Sequence, residues 1–204
     1  PGHPAARRGI PMWLVCHHCD AWADYYFGEG ITEAIDEALA LDRPTLSLSV
    51  EAKSWLLGQV WGESRFGSTR DWGASNNWGA VTYHLRDGKF IEHADHSADG
   101  KPVVYKFQAY DTQLEAARAW LKVILRGNVP SALASGTVRD LASAMYANRY
   151  YTGINTDTDR DGVPGTANDR IMAYEALIRN NAAFITSTLA SAKAVEDFGV
   201  DLST

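Results

Sequence analysis

From Ile31 onward the apolar residues of this chain recur at helical spacing. Ile31-Thr32-Glu33-Ala34-Ile35, running on to Leu41, is rich in strong helix formers. Ser49 sits where an N-cap belongs, Glu51 falls in the first turn, and Ala52, Trp55, Leu56 and Val60 follow on one stripe. This second helix is predicted to end at Gly62 or Phe66, with Gly67 as its stop. A loop dense in turn residues covers 68–79. Between Ala80 and Phe107 the period changes: Val81-Thr82-Tyr83-His84-Leu85 and Val103-Val104-Tyr105-Lys106-Phe107 read as strands, with Asp87-Gly88 and Asp99-Gly100 as turns. Helical spacing returns after Asp111, where Thr112 and Glu115 form a capping-box pair and Leu114, Ala117, Leu121, Ile124 and Leu125 share a face. Further helices fit Thr137 to Tyr146, Arg170 to Asn180 and a more polar tail from Asn181. The pattern predicts an α+β protein, mostly helical, with a small β segment set between helices.

The N-terminal stretch follows none of these periods. Pro1 to Pro11 carries three prolines, two glycines and the Arg7-Arg8 pair, the composition of an extended arm. The apolar stretch behind the arginines, Met12 to Val15, is too short for a secretory h-region. Residues 1–29 are therefore expected to be an extension or arm, and 30–204 one domain. A place outside the cytoplasm then requires a leader already removed or carriage within a larger assembly.

Composition narrows the function classes. At 204 residues the chain is long enough to bury a real core, and 46% hydrophobic with 22% charged residues is ordinary for a globular protein. No apolar run reaches the roughly 18 residues that a membrane span needs. A net charge of -6 argues against nucleic acid as the partner. Two cysteines make no disulfide framework. Seven tryptophans and nine tyrosines supply flat surfaces able to stack on sugar rings as well as to fill a core.

The densest chemistry lies between Trp61 and Ala80. Glu63 falls at the end of an apolar helix beside Trp61 and Phe66. A carboxyl group among aromatics is desolvated, which disfavours the anion and raises its pKa, as a general acid requires. The competing description of Glu63 is a solvated residue at a helix terminus.

Glu63-Ser64-Arg65-Phe66, followed by Gly73-Ala74-Ser75-Asn76-Asn77-Trp78-Gly79-Ala80, resembles the lysozyme-like peptidoglycan-cleaving enzymes. Lytic transglycosylases end their catalytic helix in a Glu-Ser pair with a Gly-Ala loop behind it. Asn76-Asn77-Trp78-Gly79 is similar to the corresponding loop in the glucosaminidases of glycoside hydrolase family 73, and Lys106-Phe107-Gln108-Ala109-Tyr110-Asp111-Thr112 is similar to a later segment of that family. The resemblance spans Val50 to Ile178 and rests on three short motifs in the same order. It implies a lysozyme-like core with a β-hairpin lobe flanking a substrate groove. It also implies hydrolysis of β-1,4 glycosidic bonds of peptidoglycan by an endo-β-N-acetylglucosaminidase-type enzyme.

On this resemblance Glu63 protonates the glycosidic oxygen, and Glu92, in Phe90-Ile91-Glu92-His93-Ala94-Asp95, is the match for a second carboxylate. Asp95 and Asp99 are its rivals. Tyr151, with Tyr150 as rival, corresponds to a tyrosine facing the catalytic acid across the groove. Trp72, Asn77, Trp78, Tyr83 and Tyr150 are expected to bind sugar. The alternatives are a lytic transglycosylase or muramidase and, in another class, a non-catalytic wall-binding or virion structural module. The expected place of action is the bacterial cell wall, reached by secretion or on a phage tail, where the N-terminal arm would meet other virion proteins.

Two metal motifs complete the reading. Asp157, Asp159, Asp161 and Gly162 fit positions 1, 3, 5 and 6 of a Ca²⁺ loop, although Asn168 stands where a bidentate Glu belongs. The loop is either a structural Ca²⁺ site or a solvated polar insertion, and catalysis itself calls for no cofactor. Cys16-His17-His18-Cys19 offers two thiolates to Zn²⁺, but two further ligands are wanting, so zinc is not expected there.

Overall fold

A computed structural model describes residues 19–64, 75–82, 88–96, 100–151 and 156–198. The elements among them are α1 (Cys19–Asp42), α2 (Val50–Ser64), β1 (Phe90–His96), β2 (Pro102–Gln108), α3 (Gln113–Ile124), α4 (Val129–Ser135), α5 (Val138–Ala147) and α6 (Ala167–Phe198). The described residues are mostly helical with one antiparallel hairpin, the α+β class that the apolar pattern predicts.

The helix starts follow local chemistry. Ser49 Oγ accepts the Ala52 N–H at 3.1 Å and opens α2. Thr112 accepts the Glu115 N–H at 3.1 Å at the start of α3, and Thr137 and Asp140 form a complete capping box on α5. The extents differ more. α1 begins at Cys19, well before Ile31, because Gly28 and Gly30 lie within the helix instead of breaking it. α6 runs unbroken through Asn181, since Tyr174, Ile178, Ala182 and Ile185 hold one buried stripe beyond the expected end. The short α4 was not expected; Gly127 and Asn128 lead into it and Pro130 lies in its first turn.

The second strand, β2, lies where Val103 to Phe107 predicts it, but its main partner is β1 at Phe90–His96 and not the expected strand from Val81. β1 and β2 pair antiparallel with Ile91 opposite Phe107 and Glu92 opposite Lys106. Of the expected strand Val81 to Leu85, Thr82 forms one bridge to Phe107, and residues from Tyr83 onward lie outside the described residues. Histidine and aspartate occupy β1, and this masks the alternation that its half-buried Ile91 and His93 reveal.

The core is helical. α2 packs along α6, α1 along α3, and α5 against both α4 and α6. Gly58 makes the first of these contacts possible: a Cβ there would lie 2.8 Å from the Ala182 nitrogen and 2.8 Å from the Ile178 carbonyl oxygen. Trp78 and Trp120 are buried and meet edge-on with centroids 5.4 Å apart, a geometry worth roughly 0.5–1.5 kcal/mol beyond burial. Among the described residues no helix is long and apolar enough to cross a membrane.

Candidate active site

The last turn of α2 places Glu63 beside a loop that the helix itself anchors. Ser64, buried one residue on, donates its hydroxyl to the Trp78 carbonyl at 2.6 Å. The Trp78 indole N–H donates to Gln113 Oε1 at 2.6 Å, while Asn76 Nδ2 donates to the Tyr110 carbonyl at 3.0 Å. The Gln108 N–H reaches the Val81 carbonyl at 3.0 Å. These bonds gather the end of α2, the 75–82 loop, the hairpin base and the start of α3.

Glu63 is exposed at the end of α2; partial desolvation raises its pKa above the ordinary carboxylate value, and a hydrogen bond from Gln59 opposes the rise. The aromatics are not those adjacent in sequence. Trp61 turns to Phe184, ring centroids 5.1 Å apart, because residues two apart on a helix do not share a face. Phe66 lies outside the described residues. The tyrosines that feel the charge of Glu63 are Tyr150 and Tyr174.

Gln59 makes the connection. Its Nε2 donates to Glu63 Oε1 at 3.1 Å and to the Tyr150 hydroxyl at 2.7 Å. Trp120 Nε1 also donates to that hydroxyl, at 3.3 Å. Tyr174 Oη and Gln59 Oε1 are buried without a hydrogen-bond partner, and the phenol lies near enough to Gln59 to feel it. Gln59 was missed in the sequence. The signal was one polar residue, four before Glu63, interrupting the apolar run Leu56-Leu57-Gly58-Gln59-Val60.

Tyr150, not Tyr151, therefore faces Glu63. Helix α5 ends in a Schellman turn: the Arg149 N–H bonds the Tyr146 carbonyl at 2.9 Å and the Tyr150 N–H bonds the Met145 carbonyl at 3.0 Å. Arg149 takes the left-handed conformation, φ 56°, that such a turn requires. The next residue is carried away from the acid: Tyr151 stacks on Tyr174 at 3.7 Å and donates its hydroxyl to the Ala142 carbonyl at 3.0 Å.

Two of the expected sugar contacts are structural instead. Trp78 is buried against Trp120. Asn77, fully buried, closes its own turn: Nδ2 donates to the Val81 carbonyl at 2.9 Å and Oδ1 accepts the Val81 N–H at 2.8 Å. Buried polar groups require such partners, which explains an amide in the core. Glu92 is exposed on β1, with its carboxylate 3.8 Å from Lys106 Nζ on β2. Trp72, Tyr83, Cys16 and Asp99 lie outside the described residues, as do the side chains of Asp95 and Cys19.

The Asp-rich loop converges differently from its pattern. Asp157, Asp159 and Asp169 bring carboxylate oxygens within 4.8 Å of one another. Asp161 is not in that group; its Oδ1 accepts the Val163 N–H at 2.8 Å. Asp169 opens α6 as the partner of Thr166 in a capping box, with Thr166 N–H to Oδ2 at 2.9 Å and Asp169 N–H to Thr166 Oγ1 at 3.1 Å. Its Oδ1 takes the N–H groups of Thr158, at 2.5 Å, and Asp159, at 3.0 Å. Burial works against ionisation of Asp169, but these hydrogen bonds outweigh it and lower the pKa to about 2. The bonds to Asp169 thus stabilise the fold above the ordinary value of 3.8 and are lost as the pH falls through about 2. An acid titration of stability should show this loss in the wild type and a flattened response in Asp169→Asn; identical acid limbs would refute the assignment.

No protein-family model matches this chain, and no curated protein sequence matches it. Solved structures do. A peptidoglycan hydrolase from Sphingomonas sp. A1 is similar over 88% of this chain and 99% of its own, with a TM-score of 0.55 and 15% identity. The glycoside hydrolase domain of Salmonella typhimurium FlgJ is similar over 84% of this chain and 94% of its own, with a TM-score of 0.53 and 16% identity. Mostly helical with an antiparallel hairpin, the chain has the lysozyme-like fold of these peptidoglycan hydrolase structures.

Proposed function

We propose that this protein is a peptidoglycan glycosidase of the endo-β-N-acetylglucosaminidase type, with Glu63 as its general acid. The observation that supports this reading is a desolvated carboxyl at a helix end, tied through Gln59 to the Tyr150 phenol. The Glu63 proton passes to the glycosidic oxygen as the bond from that oxygen to the sugar C1 breaks, and its electron pair leaves with the departing sugar. Water supplies the hydroxyl that completes C1, and the proton released from it restores the acid. Its place of action is the bacterial cell wall, reached by secretion or on a phage particle. Mass spectrometry of fragments from purified peptidoglycan tests the reading. Reducing-end GlcNAc is the expected product; reducing-end MurNAc would make the enzyme a muramidase, and anhydro-MurNAc a lytic transglycosylase.

Glu92 is the proposed second carboxylate. Glu92→Gln is expected to remove most of the activity; full activity in that variant would leave Glu63 as the sole acid and favour the transglycosylase route, in which the sugar's own hydroxyl attacks.

We also propose that Ca²⁺ binds Asp157, Asp159 and Asp169, with Asp169 in the place first given to Asp161. In support, Asp157 Oδ1 is buried and has no hydrogen-bond partner, and oxygen ligands suit this cation. Binding only to the folded state would stabilise it by about 2.7 kcal/mol at a hundred times the Kd. Millimolar Ca²⁺ should raise Tm in the wild type but not in Asp157→Ala with Asp159→Ala. A Tm indifferent to both Ca²⁺ and chelator would return the loop to a polar insertion closed by Asp169 alone.

A further inference from the structure

Tyr150 is left with one hydrogen-bonding capacity. A phenol oxygen has two acceptor sites and one proton to donate. Here the Gln59 amide, at 2.7 Å, and the Trp120 indole, at 3.3 Å, fill both acceptor sites. Among the described residues no acceptor takes the phenol proton. Gln59 is likewise committed: its amide nitrogen donates to both Glu63 and Tyr150, and its buried carbonyl oxygen has no hydrogen-bond partner. Gln59 is itself 1% exposed and rigidly placed on α2, where Gly58 locks the helix against α6. An amide so fixed, between a proposed acid and a phenol, has a role beyond filling the core.

We propose that Gln59 is a positioning residue, one that holds the Glu63 carboxyl in place and obliges Tyr150 to donate its hydroxyl proton to an acceptor on the bound sugar. This rests on the glycosidase reading of Glu63. The titratable groups facing Glu63 among the described residues are Tyr150, after α5, and Tyr174, on α6. Burial raises both phenols, so they stay neutral through the working range, and the Gln59 hydrogen bond is the interaction that opposes the rise burial imposes on Glu63.

The test is Gln59→Met, which keeps the length of the side chain and removes both donors. The expected result is a kcat lowered roughly 10- to 100-fold by loss of alignment, with KM within about twofold. The alkaline limb of the kcat profile should also move to higher pH: without the amide donor the Glu63 anion is less favoured and the proton is held longer. A purely structural role for Gln59 would lower the amount of folded enzyme and leave that limb in place. NMR titration of the Glu63 carboxyl carbon reads the same shift without catalysis, and in the wild type the Gln59 side-chain amide resonances should move with it. Should Gln59→Met not fold, the wild-type amide resonances decide alone. A wild type that cleaves no peptidoglycan refutes the glycosidase reading, while NMR still decides the clamp. Glu63 titrating alike in both proteins, or Gln59 resonances that ignore its titration, would overturn the proposal.

Discussion

Glu63→Gln is expected to lower the rate of wall cleavage by at least the roughly 10²- to 10⁴-fold typical of general acid catalysis, with little change in Tm. The substitution keeps the shape of the side chain and removes the transferable proton. Stability should hold because Glu63 is an exposed residue and its side-chain hydrogen bond among the described residues, from Gln59, can be replaced by a bond to the new amide oxygen. Clearing of cell-wall suspensions at increasing enzyme concentration measures the first quantity and a thermal melt the second. Clearing at the wild-type rate would remove Glu63 from the chemistry. Lost clearing with an equally large loss of Tm would make Glu63 a structural residue.

The second large effect is expected far from any chemistry. Gly58→Ala should destabilise the fold by about 1–3 kcal/mol through overpacking. Alanine gains roughly 0.8–1.0 kcal/mol of helix propensity over glycine. Against that gain, the new Cβ would meet the Ala182 nitrogen and the Ile178 carbonyl oxygen, each at 2.8 Å. Both belong to the backbone of α6, which cannot swing aside as a side chain can. The helices must separate, and the bond from Asn181 Nδ2 to the Gly58 carbonyl, 3.0 Å, is strained with them. Gly30→Ala is the control: no atom lies within 4 Å of its Cβ position, so the propensity gain should stand alone and Tm should rise slightly. Denaturant melts of the two variants should move in opposite directions. A Gly58→Ala protein as stable as the wild type would mean that α2 and α6 do not approach this closely.

Much of what holds the elements together locally was legible in residue order. Ser49, Thr112 and Thr137 cap the helices their positions announce, because a cap joins groups three residues apart and little else competes for them. The apolar stripe of α3 and the helix end at Glu63-Ser64 belong to the same class: fixed periods and short spacings, decided by the helix itself. So does the acidic character of the loop after residue 156, though not the identity of the carboxylates that converge in it.

Tertiary structure decided the rest. Gln59 and Tyr150 lie 91 residues apart, and no period links them; the Schellman turn after α5 selects Tyr150 over Tyr151. Trp78 and Asn77 sit in a loop dense in turn residues, which suggests exposure, but Ser64 draws that loop into the core and buries both. Asp169 displaces Asp161 because the capping box of α6 presents its carboxylate to the loop amides. Propensity and capping act over a few residues, whereas the surroundings of a carboxyl depend on which distant helices pack around it. That is why Glu63 could be singled out in the sequence, while the residues around its carboxyl appeared only when α2, α5 and α6 were brought together.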